Sequence, residues 1–237
     1  MKRIDCFIPA ADQNQIAVTL AHLKPLSIIN RIYLLSTDPG VDLSHTGLEV
    51  IPVDNLSSSS TVAKIAEMSA SDYTLIYTKY TTLEPGYFAL ERMVRLGDDT
   101  QAGMLYADHY QIINGQRRKM PLIECQEGAL RDDFNFGSVL LYNTAILKKA
   151  AAQTNISYPY AGQYNLRLTV SRMAPLVHIN EVLYTEIETD TRKSGEKLFD
   201  YVDPKNRDVQ IDMEKACTEH LKAVGAYLPP VFTPVDL

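Results

Sequence analysis

The sequence predicts an α/β protein in which helices cover both faces of a mainly parallel sheet, with a small antiparallel annex in the second half. Three observations carry that prediction. Strand-length apolar runs alternate with stretches of helical periodicity through the first half of the chain, the pattern of parallel strands joined by crossover helices. In the second half an Asn114-Gly115 pair separates two extended runs, and that dipeptide favours a two-residue hairpin turn. With 237 residues, 46% of them apolar, the chain is long enough to bury one large core.

Taken in order, residues 4–9 are an apolar run of strand length that stops at a proline, and Ala10-Ala11-Asp12-Gln13 leads into a helix over residues 14–26. Ile16, Leu20 and Leu23 fall on one face of that helix. Residues 31–36, centred on Ile32-Tyr33-Leu34-Leu35, give a second buried strand closed by Thr37-Asp38-Pro39-Gly40, and residues 48–53 a third. The serines of Asn55-Leu56-Ser57-Ser58-Ser59-Ser60 cap a helix over 61–69, because a hydroxyl accepts a hydrogen bond from the free N–H groups of the first turn. Asp72-Tyr73 then opens a strand through Leu75-Ile76-Tyr77. It delivers Thr78, Lys79 and Tyr80 to the carboxyl edge of the sheet, where open α/β sheets bind their ligands. A helix over 85–96 follows.

The second half reads as a strand over 102–113, a returning strand over 117–122, and a segment 130–137 leading into Ser138-Val139-Leu140-Leu141-Tyr142. Helices over 144–153 and 164–173 precede a final strand over 176–184. Residues 188–199 are strongly polar and read as a mobile loop. Asp203-Pro204 is a helix start, with Asp as the cap and Pro at the first helical position. Val209, Met213, Ala216, His220 and Val224 then fall at helical spacing up to the stop at Gly225. The expected organisation is a domain over 1–186, a polar loop plus a helix packing on it over 187–228, and a proline-rich, linker-like tail over 229–237.

Charge and cysteine content narrow the function. A net charge of -6 and a pI near 5.4 argue against a nucleic-acid partner or a general anionic-membrane surface, since a phosphate backbone demands clustered positive charge. Cys6, Cys125 and Cys217 are too few and too scattered for a disulfide framework or a Cys-x-x-Cys metal site, so free thiols in a reducing, cytoplasmic setting are expected. The sequence has no run of 18 or more apolar residues, so no direct membrane span is expected.

Several segments share an order with one enzyme family. Ile8-Pro9-Ala10, Leu34-Leu35-Ser36-Thr37-Asp38, the strand ending in Thr78-Lys79-Tyr80, Tyr106-Ala107-Asp108-His109-Tyr110 with Asn114-Gly115, and His178-Ile179-Asn180-Glu181-Val182-Leu183-Tyr184 together resemble family 2 glycosyltransferases over residues 2–186. The match is similar in particular to the amino-terminal module of tandem bacterial enzymes. The resemblance implies a GT-A fold, a three-layer α/β/α sandwich of the nucleotide-diphospho-sugar transferase type. It implies transfer of a sugar from a nucleoside-diphosphate donor to a glycan or lipid-linked acceptor, with a following glycosyltransferase domain as a partner and a site of action at the inner face of the membrane. Pro9 and Ala10 correspond to the segment that borders the nucleotide base, and Asp38 to an acid that contacts uracil or ribose.

Two family motifs are altered. The Asp-x-Asp that ends the family's fourth strand holds a divalent cation against the leaving diphosphate, and here the frame reads Thr78-Lys79-Tyr80. The Glu-Asp pair that supplies the general base reads Gly162-Gln163, and an amide does not accept the acceptor's proton. Lys79 is then placed to offer a fixed positive charge where the cation would sit. Asp108 is the remaining acid for ribose or metal, so Mg2+ or Mn2+ has Asp108 alone. Asp132 and Asp133 are the candidate replacement base, and Arg192, Lys193 and Lys197 a candidate lid over the diphosphate. His178 reads as a hydrogen-bonded structural histidine. A second reading stays open: a degenerate binding or scaffold module that accompanies an active transferase domain.

Overall fold

The structure is a computed structural model that describes residues 2–10, 13–38, 40–153, 155–188 and 207–231. The proposed lid residues Arg192, Lys193 and Lys197, and the helix start at Asp203-Pro204, lie outside the described residues. The elements are β1 (Ile4–Pro9), α1 (Gln13–Leu23), β2 (Ile29–Ser36), β3 (Glu49–Pro52), α2 (Ser59–Met68), β4 (Tyr73–Tyr77), β5 (Thr82–Pro85), α3 (Ala89–Thr100), β6 (Met104–Ile113), β7 (Gln116–Met120), β8 (Val139–Asn143), α4 (Thr144–Ala152), α5 (Gly162–Ser171), β9 (Leu176–Ile187) and α6 (Arg207–Ala223).

One mixed sheet runs in the order β3-β2-β1-β4-β8-β6-β9-β5, with β7 paired to β6. β1 pairs in parallel with both β2 and β4, and β2 with β3. β8 inserts antiparallel between β4 and β6, and β9 lies parallel to β6. The chain therefore winds outward in one direction from β1 and then in the other through β4, which makes the carboxyl ends of β1 and β4 the switch point of the sheet.

Strand alternation feeds two apolar clusters. Ile4, Cys6, Ile8, Tyr73, Leu75 and Tyr77 pack with Ile16, Leu20 and Leu23 of α1 and Leu90 and Met93 of α3. Phe7, Tyr33, Leu35, Ile76, Leu140 and Tyr142 pack with Val62 and Ile65 of α2, Leu147 of α4, and Leu166 and Val170 of α5. Each fully buried Leu or Ile stabilises the fold by about 1.5–3 kcal/mol, so these alternating pairs fix the register. Asp5 locks the far end of the same strands. Its buried carboxylate accepts from Ala70 N at 2.7 Å, Ser71 N at 2.8 Å, Ser71 Oγ at 2.8 Å and Asn30 Nδ2 at 3.1 Å. Burial alone would raise its pKa, and these hydrogen bonds outweigh that and lower it.

The local signals act as the sequence predicts at several boundaries. Ser58 caps α2 by accepting from Thr61 N at 3.2 Å, and Asn143 caps α4 by accepting from Ala145 N and Ile146 N. Asn114 and Gly115 take φ of 51° and 74°, so the β6–β7 hairpin turns as its sequence demands. One boundary differs. The helix expected over 85–96 begins only at Ala89, because Thr82–Pro85 is extended and pairs antiparallel with β9. Pro85 ends that edge strand, where no ladder N–H is required of it.

The carboxy-terminal helix is tied to the segment that positions α5. Ala216, Met213 and Cys217 pack against Tyr158, Tyr164 and Leu168. Asp212 of α6 is buried and accepts from Tyr160 N at 2.8 Å and Ala161 N at 3.1 Å. Ala161, the N-cap residue of α5, makes no side-chain cap, so a carboxylate from α6 satisfies this helix start and favours its positive dipole end. Among the described residues no helix is long and apolar enough to cross a membrane. Cys6 is buried, Cys125 and Cys217 are half-buried, and all three are free.

Candidate functional site

The switch point gathers three turns. Ala10 follows β1, buried, with its N–H donated to Leu35 O at 2.8 Å, and Pro9 beside it is buried as well. The turn after β2 is held by Ser36 Oγ donating to Asp38 O and by Gly40 N donating to the Asp38 carboxylate, both at 2.8 Å. Thr37 Oγ1 and Tyr80 OH then lie 3.2 Å apart, so the turns after β2 and β4 touch on either side of the end of β1. Asp38 is exposed at this edge.

Lys79, in the turn after β4, is already paired. Its ammonium donates to Glu186 Oε2 at 2.7 Å; the lysine side chain is 43% exposed and the glutamate 0%. Glu186 Oε1 is buried without a hydrogen-bond partner and lies 3.5 Å from His109 Nε2. His109 stacks on Tyr184 with ring centres 4.9 Å apart, and the Tyr184 hydroxyl accepts from Ser138 N at 2.9 Å. Burial pushes the Tyr184 hydroxyl up to about 12. This buried polar row joins β9 and β6 to the strand end at Thr78, whose N–H donates to Ser138 O at 2.9 Å.

Asp108 sits beside that row and is fully buried at an irregularity in the β6–β9 register. Its Oδ1 accepts from Leu122 N and from His178 Nε2, both at 2.9 Å, while Oδ2 is 4.0 Å from Lys119 Nζ. His178 also stacks on Tyr106, in the hydrogen-bonded arrangement its sequence context implied.

These residues do not fit a divalent cation. Mg2+ or Mn2+ demands several oxygen ligands, carboxylates among them. The strand end offers an ammonium, and the buried Asp108 already shares one oxygen between two donors. Among the described residues no group of three or more His, Cys, Asp or Glu side chains is arranged to hold a metal ion.

Burial lowers the pKa of His109; Lys79 acts in the same direction, while Glu186 and Asp108 oppose it. A histidine held neutral in the fold contributes stability above its unfolded value of 6.5, and that contribution is lost as pH falls below 6.5. His220, lowered by burial and by Arg172, adds in the same direction. Urea unfolding is expected to show about 1 kcal/mol less stability at about pH 5 than at about pH 7.5, and His109→Gln is expected to remove part of that slope. An unchanged slope in the variant would mean that His109 titrates alike in both states.

On the other side of Thr78 opens a cleft of about 390 Å3, walled by Asp132, Asp133, Phe136 and Gly137, by Gln163, Tyr164 and Arg167 of α5, and by Met213 of α6. The cleft thus brings together Thr78 and Gln163, one from each of the two motif frames that the resemblance implied, with both candidate acids. Pro9, Ala10, Asp38, Lys79 and Asp108 do not line it. Gln163 is occupied, its Nε2 donating to Leu56 O at 2.9 Å and its N–H to Ser57 O at 3.0 Å. Asp133 is held by Arg131 through bonds of 2.8 and 2.6 Å, which lowers its pKa and weakens it as a base. Asp132 is exposed, and its Oδ1 accepts only the neighbouring Asp133 N–H, at 3.1 Å, among the described hydrogen bonds.

Sequence reasoning missed Glu186, His109 and Arg167. Glu186 shares a strand face with Tyr184, and Arg167 is a lone cation in the apolar run Leu166 to Val170. Charge inside an apolar face was the available signal in both cases.

No protein-family model matches the chain, and no curated protein matches it by sequence. Solved structures match by fold. Residues 1–349 of S. aureus TarS, a GT-A family 2 glycosyltransferase, superpose in complex with UDP-GlcNAc at a TM-score of 0.61 and 11% identity, covering 92% of this chain and 71% of that chain. The complex with UDP gives 0.62 and 9% identity, covering 92% and 65%. A mycobacterial protein gives 0.59 and 11% identity, covering 91% and 75%. The chain spans 60% of the TarS 1–349 structure described without ligand and 37% of a longer TarS chain. At such identities the likeness is one of architecture: the chain has a GT-A-like fold, as the resemblance of its segments implied.

Proposed function

We propose that this chain is a glycosyltransferase domain that takes a nucleoside-diphosphate sugar at the carboxyl edge of β1 and β4 and passes the sugar to a glycan or lipid-linked hydroxyl in the adjoining cleft. The observation that carries this reading is the position of Thr78. It directly follows β4, the strand next to β1 at the switch point, and it also lines the cleft with Asp132, Asp133 and Gln163. A donor at the edge and an acceptor in the cleft would meet there. The TarS structures with UDP-GlcNAc and UDP support a nucleotide sugar as the donor class.

On this reading the architecture is a three-layer α/β/α sandwich over 1–186, with 187–228 packed on it and 229–237 as a tail. Pro9, Ala10 and Asp38 border the base and ribose and Lys79 faces the diphosphate, while Asp108, expected at the donor, is buried and bonded to His178 and Leu122 instead. Asp132 takes the proton of the acceptor hydroxyl as the acceptor's oxygen bonds the anomeric carbon, and the bond from that carbon to the nucleoside diphosphate breaks, the diphosphate leaving with its electron pair. Arg192, Lys193 and Lys197 close over the phosphates. The setting is cytoplasmic, with a following transferase domain as partner.

A specific observation favours the second reading, a binding module without chemistry: the base frame's amide is spent on Leu56 O and Asp133 on Arg131. Calorimetry with UDP-, GDP- and dTDP-sugars separates the two. We expect one donor to bind, with affinity unchanged by Mn2+ or chelator, and Asp132→Asn to lower turnover by about 10²–10⁴-fold at constant donor affinity. Binding of no nucleotide sugar would leave the module reading in place.

A further inference from the structure

Arg167 has no role in the transfer described above. It follows Gln163 by one helical turn on α5, so both side chains face the cleft. The residue is 5% exposed. Its Nη2 donates to Arg131 O at 3.0 Å, whereas its Nε is buried without an acceptor. The guanidinium lies 4.8 Å from the ring centres of both Phe136 and Tyr164, which brace it from two sides. Among the described residues no carboxylate lies within ion-pair distance of it. Burial holds its pKa below the ordinary arginine value, and the more distant Asp132, among the groups that act in the opposite direction, does not offset it.

A buried guanidinium with an idle donor is a costly way to line a wall, and its planar fork is matched to carboxylate and phosphate oxygens. The acids of the cleft do not meet that need, because Asp133 is already matched by Arg131 and Asp132 is exposed. We infer that Arg167 forms an oxyanion subsite, and that the acceptor entering this cleft carries a phosphate or carboxylate group that Arg167 binds. The word acceptor rests on the transferase reading. The donor's own diphosphate is the less suitable occupant, because the edge residues Pro9, Ala10, Asp38 and Lys79 do not reach the cavity that Arg167 lines.

The test is calorimetric titration of the full chain with glucose, glucose 6-phosphate and glucuronate, and separately with UDP, for the wild type, Arg167→Met and Arg167→Lys. We expect one of the two anionic sugars to bind at least about tenfold more tightly than glucose, which also tells phosphate from carboxylate. Arg167→Met should abolish that preference, and Arg167→Lys, which keeps the charge and loses the fork, should reduce it several-fold; both should keep the wild-type affinity for UDP. Thermal melting checks the fold, and the lysine variant decides if the methionine variant does not fold. Equal binding of charged and neutral sugars by the wild type, or a preference that survives in a folded variant, overturns the inference. Loss of UDP affinity in the variants would assign Arg167 to the donor and overturn it as well. Absence of any nucleotide binding alongside an Arg167-dependent preference would sink the transferase reading and leave the anion subsite standing.

Discussion

Replacing Gly162 by alanine is expected to lower the stability of the fold by about 3 kcal/mol and to disturb the cleft together with it. A Cβ at this position would lie 2.2 Å from Ser59 N and 2.3 Å from the carbonyl carbon of Ser58. Neither atom can step aside, because Ser59 N donates to Tyr158 O at 2.8 Å and Gln163 N donates to Ser57 O at 3.0 Å. The starts of α2 and α5 are therefore clamped to each other through backbone. A methyl group forces α5 outward, and α5 carries Gln163, Tyr164 and Arg167 into the cleft. Urea unfolding of Gly162→Ala measures the cost, and an unchanged midpoint would show that the two segments separate freely.

Lys79→Met is expected to cost about 2 kcal/mol and to weaken nucleotide-sugar binding about tenfold. The stability loss follows from Glu186, which is fully buried and whose one described hydrogen bond comes from Lys79. Breaking a wholly buried pair costs about 3–5 kcal/mol, and the smaller figure allows for water reaching a lysine that is 43% exposed. Adding Glu186→Gln removes the orphaned charge and should return most of the stability, since both members of the pair are then gone. It should not return the affinity if the ammonium faces the diphosphate. Urea midpoints and calorimetry on the single and double variants read the two effects apart. Wild-type affinity in the double variant would reduce Lys79 to the counter-ion of Glu186.

Most of the fold was legible because its signals are local. Ser58 and Asn143 cap their helices, Asn114-Gly115 turns its hairpin, and the alternation of Tyr73, Leu75 and Tyr77 sorts that strand's side chains between two cores. β5 was not legible. Leu83-Glu84-Pro85-Gly86 resembles a turn, and only pairing with Tyr184–Ile187, a hundred residues on, makes Thr82–Pro85 a strand. The site divided in the same way. The frames at Thr78 and Gln163 were placed by the family resemblance, and those two residues meet in one cleft. The partners that decide what those residues can do, Glu186 for Lys79, Leu56 for Gln163 and Arg131 for Asp133, depend on tertiary approach or on rotamer. Charge in the sequence marked the residues, and geometry decided which of them were already engaged.

The contact between Thr37 and Tyr80 has a kinetic side. Two hydroxyls 3.2 Å apart join the turns after β2 and β4 over a β1 terminus in which Pro9 and Ala10 are buried. The pair is a latch between the two turns, and a weak one. One neutral hydrogen bond at the surface is worth about 1 kcal/mol, so the latch stands open in roughly one molecule in six at any moment. A single exposed side-chain contact breaks and re-forms far faster than a ligand arrives, so the two turns exchange between joined and parted states without slowing what reaches that edge.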